Sequence, residues 1–413
     1  MPIDRNPSEL TSTRWRTFTA APHRMMFLPG AFQAVLVMLF WFAELLGRTG
    51  LWASPPLVIS ANGAHVFLML FGVFPYFIFG FLFTVYPRWM GGPVMAASRY
   101  VAVFVFLVTG MVLFYAGLFI SHFLVALSLV LQLMGWGVAL YSLFIVFRQA
   151  PKRGPHERLL NLALAAGMLG IACFLAGIVS QAPLAFLLAR EIGLWLFMMP
   201  VVFLVAHCMI PFFSQSVLIN YIMVRPAWGP PLMVACAIGH AAFEIADLSA
   251  WRFLVDAPLA IAALHLSWVW QFRRSFHARL LAMLHIAFLW LGIAMALYAV
   301  QSLALLVTGT DYLGRAPLHA LGIGFFTGMV VAMASRVTLG HSGRALEAND
   351  LTWRVLFGVN IAAVLRIVAE FLPGTVGGIL NALAAAAWLL SFLLWGRLYA
   401  PMYLRPRIDR QPG

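Results

Sequence analysis

The sequence predicts an all-α, polytopic integral membrane protein of about twelve spanning helices, and three observations carry that prediction. Hydrophobic residues make up 63% of the 413-residue chain and charged residues only 9%, with a mean hydropathy of +0.94. Apolar stretches of the length that crosses a hydrocarbon core recur from Met26 almost to the C-terminus. Arginines gather in alternate loops, as expected when positive charge holds a loop on the cytoplasmic side.

The predicted spans are 26–46, 65–87, 100–119, 123–147, 159–180, 191–213, 229–248, 253–272, 279–305, 317–338, 353–371 and 375–396. Segments assigned to the inside carry Arg5, Arg14, Arg16 and Arg24 before the first span, then Arg88 and Arg99, then Arg148, Lys152, Arg153 and Arg158. Arg225, then Arg273, Arg274 and Arg279, then Arg336, Arg344 and Arg354, and the C-terminal Arg397, Arg405, Arg407 and Arg410 continue the series. Outside segments hold only Arg48, Arg190, Arg252 and Arg315. A miscounted span would break this alternation, so an even number with both termini cytoplasmic is expected. The division reads as a cytoplasmic N-terminal segment (1–25), a single transmembrane helical domain (26–396) and a cytoplasmic tail (397–413). Its least regular part is Arg190 to Val224, where Pro200 and Pro211 favour a broken or re-entrant helix over a clean crossing. No strong internal repeat is visible.

The formal charge of +13 does not indicate nucleic acid, because no basic cluster with interleaved aromatics could track a phosphate backbone. Cys173, Cys208 and Cys236 lie apart in apolar stretches and read as packing residues. Walker A, G-x-S-x-G and H-E-x-x-H signatures are absent.

Orientation gives each histidine a depth. His65 opens span two and His319 opens span ten, both on helices running inward, so the two imidazoles share an outer level. Gly72, Gly80, Gly324 and Gly328 on the same helices either permit close approach or leave a slot for a flat macrocycle. Two histidines at one depth can ligate haem iron from both faces. The alternative is that each caps its helix or binds a carbonyl. An inner set comprises His23, His207, His285 and His341, and Cys208 and Met209 beside His207 offer soft sulfurs suited to copper. His240 and His265 lack such company, while His122, His156 and His277 read as loop residues. Arg336 and Arg344 flank a Gly-His-Ser-Gly turn, where their forks would suit a haem propionate or an anionic lipid head group, or serve only as a positive-inside loop. Glu44 with Arg48, and Arg366 with Glu370, are spaced to pair along a helix. Glu244 and Asp247 close span seven, where they could relay protons or form a quinol site, or serve as structural pairs.

The run Ala316-Pro-Leu-His-Ala-Leu-Gly-Ile-Gly324, followed by Ser335-Arg-Val-Thr-Leu-Gly-His-Ser-Gly-Arg344, closely resembles the signature of the NnrS family. Ala21-Pro-His-Arg24, Ala64-His65, Gly80 to Pro87, Ile210-Pro-Phe-Phe213 and Leu284-His285 extend the resemblance over the chain. It implies a bacterial cytoplasmic (inner) membrane protein of nitric oxide metabolism that contains haem b and copper. Carried over residue by residue, it marks His65, His285, His319 and His341 as ligand candidates, supported by Arg336 and Arg344. Gly63-Ala-His-Val-Phe67 departs from the family's H-A-H-E-M, lacking one histidine and the glutamate, and His207-Cys208 stands where G-R is usual. A metal site that used the missing residues is either lost here or rebuilt around His207.

The first functional expectation is therefore a haem protein binding or reducing nitric oxide, with His65 and His319 as axial ligands and a second metal site from His207, His285 or His341. As an enzyme it would reduce nitric oxide to nitrous oxide with electrons from quinol. The competing expectations are a twelve-span secondary transporter and a non-enzymatic haem sensor or maturation partner.

Overall fold

The computed structural model describes residues 15–372 and 374–409. In chain order its long helices are α1 (Pro22–Arg48), α2 (Ala61–Met90), α3 (Ala97–Ile120), α4 (His122–Gln149), α5 (Pro155–Ser180), α6 (Pro183–Val217), α7 (Gly229–Ile245), α8 (Ser249–Val269), α9 (Arg279–Thr308), α10 (Ala316–His341), α11 (Asp350–Phe371) and α12 (Gly374–Tyr403). No strand occurs among the described residues. Eleven of these helices are long and apolar enough to cross a bilayer. The exception is α7, whose 17 residues sit at the short end of the usual range. It stops before the predicted end at residue 248, and Asp247 just beyond it takes a left-handed backbone (φ 56°).

Local chemistry sets many of the helix ends. Ser60 Oγ accepts the amide of Gly63 at 3.1 Å to start α2, and Asn349 Oδ1 accepts that of Thr352 at 2.9 Å to start α11. Gly309, at φ 69°, closes α9 in a left-handed turn that a β-carbon would strain.

Burial sorts the helices into an inner and an outer set. In α2, α6 and α10, 89%, 78% and 78% of the apolar window is covered, and in α9 67%, against 33–50% for the other seven full-length spans. The inner three converge on a small apolar space of about 50 Å³ walled by residues such as Phe77, Leu82, Val202, Val205, Met329 and Met333. Sequential helices pack as pairs, α3 on α4, α8 on the more buried α9, and α11 on α12. The bundle closes where α12 meets α1, with Trp388 Nε1 donating to the Ala34 carbonyl at 3.3 Å.

Each inner helix carries a π-helical segment: Leu68–Val73 in α2, Ile192–Met198 in α6 and Ala320–Thr327 in α10. Pro75 and Pro200 follow the first two with one residue between. Proline lacks the amide that would close the preceding α turn, and a wider turn absorbs the mismatch. The third segment contains Gly322 and Gly324 instead. This answers the expectation for Arg190 to Val224. The helix neither breaks nor re-enters: α6 runs unbroken to Val217 through both Pro200 and Pro211.

Candidate functional site

His65 and His319 lie near the starts of α2 and α10 and are close enough to interact electrostatically. His319 is the last residue before the π segment of α10, and His65 precedes that of α2 by less than one turn. His319 Nδ1 stands 2.9 Å from the Arg315 carbonyl. A carbonyl only accepts, so Nδ1 carries the proton and a neutral ring keeps its lone pair on Nε2, the tautomer suited to ligating a metal. The His65 ring stacks on Trp41, centroids 4.0 Å apart and 16° from parallel. Trp41 in turn carries the Arg48 guanidinium at 5.0 Å. His65 Nδ1 is buried without a hydrogen-bond partner among the described residues, an arrangement that costs about 1–3 kcal/mol unless something else satisfies the ring.

Arg48, Arg315 and Arg366 act electrostatically on His65, the last two on His319 as well. The predicted helix pairs form: Arg48 binds Glu44 at 2.9 Å and Arg366 binds Glu370. A β-carbon on Gly322, within a turn of His319, would meet nothing within 4 Å. The glycines considered for a macrocycle slot behave otherwise. Gly72, Gly80, Gly324 and Gly328 are filled by Gln33 and Met111, by Phe27, by Trp290 and by Ala287. They serve close helix approach, and Gly322 is the one that leaves room.

The other predicted site residues lie at the opposite end of the inner helices. Arg336 is roughly 25 Å along α10 from His319 at 1.5 Å per residue, so the two cannot serve one haem as propionate partner and axial ligand. Arg336 lines a cavity of about 880 Å³ together with His341 and Cys208, whereas Arg344 does not line it. The inner histidines are dispersed. His341 lies beside His23, ring centroids 4.6 Å apart. His207 Nδ1 meets His156 Nε2 at 3.1 Å, and His285 Nε2 meets Ser214 Oγ at 3.1 Å. Among the described residues no three His, Cys, Asp or Glu side chains converge as a metal site. A copper centre built jointly from His207, His285 and His341 does not fit this arrangement.

Two histidines have more company than their sequence positions suggested. His156 and His122 are helical rather than loop residues, and His156 pairs with His207. His240 Nδ1 bonds Asp256 Oδ1 at 2.7 Å and stacks on Trp195 at 3.6 Å. Around that pair Arg252 binds Glu244 at 2.6 Å and Arg190 approaches the same carboxylate at 3.9 Å. Asp256 and Glu191, single acids inside apolar stretches, were the available signal for this cluster.

Fold, histidine placement and signature run now stand together. The model of the NnrS protein family matches residues 17–407. The chain belongs to the NnrS family. No curated protein matches it. Nearly the whole NnrS chain is covered by that match, so the inner helices, both histidine ends and the arginine-lined cavity all fall inside the family's extent.

Proposed function

We propose that this NnrS-family protein is a haem-containing protein of the bacterial inner membrane that binds nitric oxide, with His65 and His319 as the haem ligands. The observation that carries the reading is the placement of His319, its proton fixed on Nδ1 by the Arg315 carbonyl, at the same end of the inner helices as His65, whose buried Nδ1 lacks a partner among the described residues. Open space over Gly322 supports it, and Arg315 and Arg366 supply positive charge for propionates at the same end. Haem, when bound, would supply an iron centre that takes a diatomic gas.

The two histidines are held differently. A backbone hydrogen bond locks His319, while His65 rests on Trp41 by stacking alone. His65 is therefore the imidazole that yields its position more readily, and His319 the one that stays. The space of about 50 Å³ between the inner helices is lined by apolar side chains and suits a small, nearly apolar gas.

Anaerobic visible spectra of the purified full chain, oxidised, reduced and treated with nitric oxide, with iron and copper analysis, test the reading. A Soret band that shifts with nitric oxide is expected, lost in His65→Ala or His319→Ala and kept in His122→Ala. Absence of iron, or an unchanged spectrum in both variants, rejects it. Nitrous oxide formation on adding quinol would mark a reductase; a nitric oxide complex without turnover would mark a binding or sensing protein.

A further inference from the structure

We infer that the cavity at the His341 end is a binding site for an amphiphile with an oxyanion head, a carboxylate or phosphate on an apolar body. It is independent of the haem reading, because it lies at the far end of α2, α6 and α10 from His65 and His319. Its volume of about 880 Å³ is in the range of sites that enclose a small organic molecule.

The charge balance within the cavity points to an anion. Four arginines line it, Arg88, Arg225, Arg336 and Arg407, against the single carboxylate of Glu157. Arg407 is already paired with Asp409 at 2.6 Å. Glu157 is engaged in capping the start of α5, where its Oε2 accepts the Gly154 amide at 2.9 Å. Arg225 gives one donor to the Cys208 carbonyl at 2.8 Å and retains others.

Arg336 is the decisive group. The residue is only 7% exposed, yet among the described residues its guanidinium makes neither a hydrogen bond nor an ion pair. It lies over the Phe213 ring at 3.9 Å, a contact that orients the planar fork without using its in-plane N–H donors. A buried cation without a counter-ion is costly, and a bidentate oxyanion is the partner that its geometry matches. The remaining wall is apolar and aromatic, with Phe81, Val85, Trp89, Phe212 and Leu346 around the polar groups. A free inorganic anion would leave that wall uncovered; an amphiphile covers both.

Native mass spectrometry of the full chain in detergent, titrated separately with phosphatidylglycerol, oleate and zwitterionic phosphatidylcholine, tests the site. At least one of the two anionic amphiphiles should be retained at about tenfold lower concentration than phosphatidylcholine, the gain expected of a charge-assisted hydrogen bond. Preference for phosphatidylglycerol alone identifies a membrane lipid as the source, and preference for oleate alone identifies a free carboxylate. Arg336→Gln should weaken retention about tenfold, while Arg344→Gln should leave it unchanged. Ser216→Trp, which fills the cavity from an exposed position, should weaken it without disturbing the core and serves if Arg336→Gln does not fold. Equal retention of all three amphiphiles, or undiminished anion retention in Ser216→Trp, overturns the inference.

Discussion

Gly322 and Gly324, two residues apart in the π segment of α10, should answer an added methyl group in opposite ways. A β-carbon on Gly324 would fall 2.4 Å from Trp290 Cδ2 and 2.5 Å from Cγ. The indole is not free to swing aside, because its Nε1 donates to Asn360 Oδ1 at 2.7 Å. A β-carbon on Gly322 meets nothing within 4 Å. Both substitutions gain about 1 kcal/mol of helix propensity, so that contribution cancels when the two are compared. The remaining difference is overpacking against Trp290, about 1–3 kcal/mol. Unfolding of the detergent-solubilised chain, followed by circular dichroism, should place Gly322→Ala at or above the parent and Gly324→Ala below Gly322→Ala by that amount. Trp290→Leu in the Gly324→Ala background should recover part of the loss. Equal destabilisation by the two alanines would refute the packing described for α10. Gly322→Leu extends the test to function: it should lower haem content while the fold persists, and full haem content in that variant would refute the placement of haem beside His319.

Three further outcomes follow from named contacts. Asp256→Ala leaves His240 without its buried partner, and with both residues at most 1% exposed the cost should be about 1–3 kcal/mol in the same unfolding assay; a shift below 1 kcal/mol would contradict the pairing. His156→Ala and His207→Ala should be non-additive, with a coupling of at least about 0.5 kcal/mol, and strict additivity would show that the two rings do not bond. With Cys173, Cys208 and Cys236 replaced, an impermeant maleimide applied to intact cells should label Ser54→Cys and not Arg153→Cys. The reverse pattern would refute cytoplasmic termini.

Much of the architecture was legible because lipid imposes a length and a side on every helix. Arginine placement separated the spans, and the helix-opening positions of His65 and His319 brought them to a common end of the bundle. The i, i+4 pairs Glu44–Arg48 and Arg366–Glu370 formed for the simplest reason, adjacency on one helix face. What the chain concealed depends on contacts between distant helices. Nothing local to His156 indicates that it reaches His207, and nothing around Asp256 names His240 as its partner. The glycines show the same limit. Residue type marks Gly322 and Gly324 as equivalent, and only the neighbouring α9 with its Trp290 distinguishes a filled position from an open one. Arg336 and Arg344 looked like one anion clamp along the sequence, but the turn between them sends only Arg336 into the cavity. Pro75 and Pro200 were the visible trace of the π segments in α2 and α6, whereas α10 has no proline at the corresponding point.

Those π segments turn chain length into an angle. Each inserts a residue beyond the α repeat, and one residue is worth about 100° of rotation about the helix axis. In α10 the turn carrying His319 is thereby set in azimuth against the half that carries Arg336, and the two faces can be aimed separately. Deleting Leu321 would hardly shorten the helix. It would restore an unbroken α register with His319 and Arg336 in nearly their present relative azimuth, because the wide turn already absorbs the extra residue; the undeleted chain wound as uninterrupted α-helix would instead turn His319 by about 100° relative to Arg336.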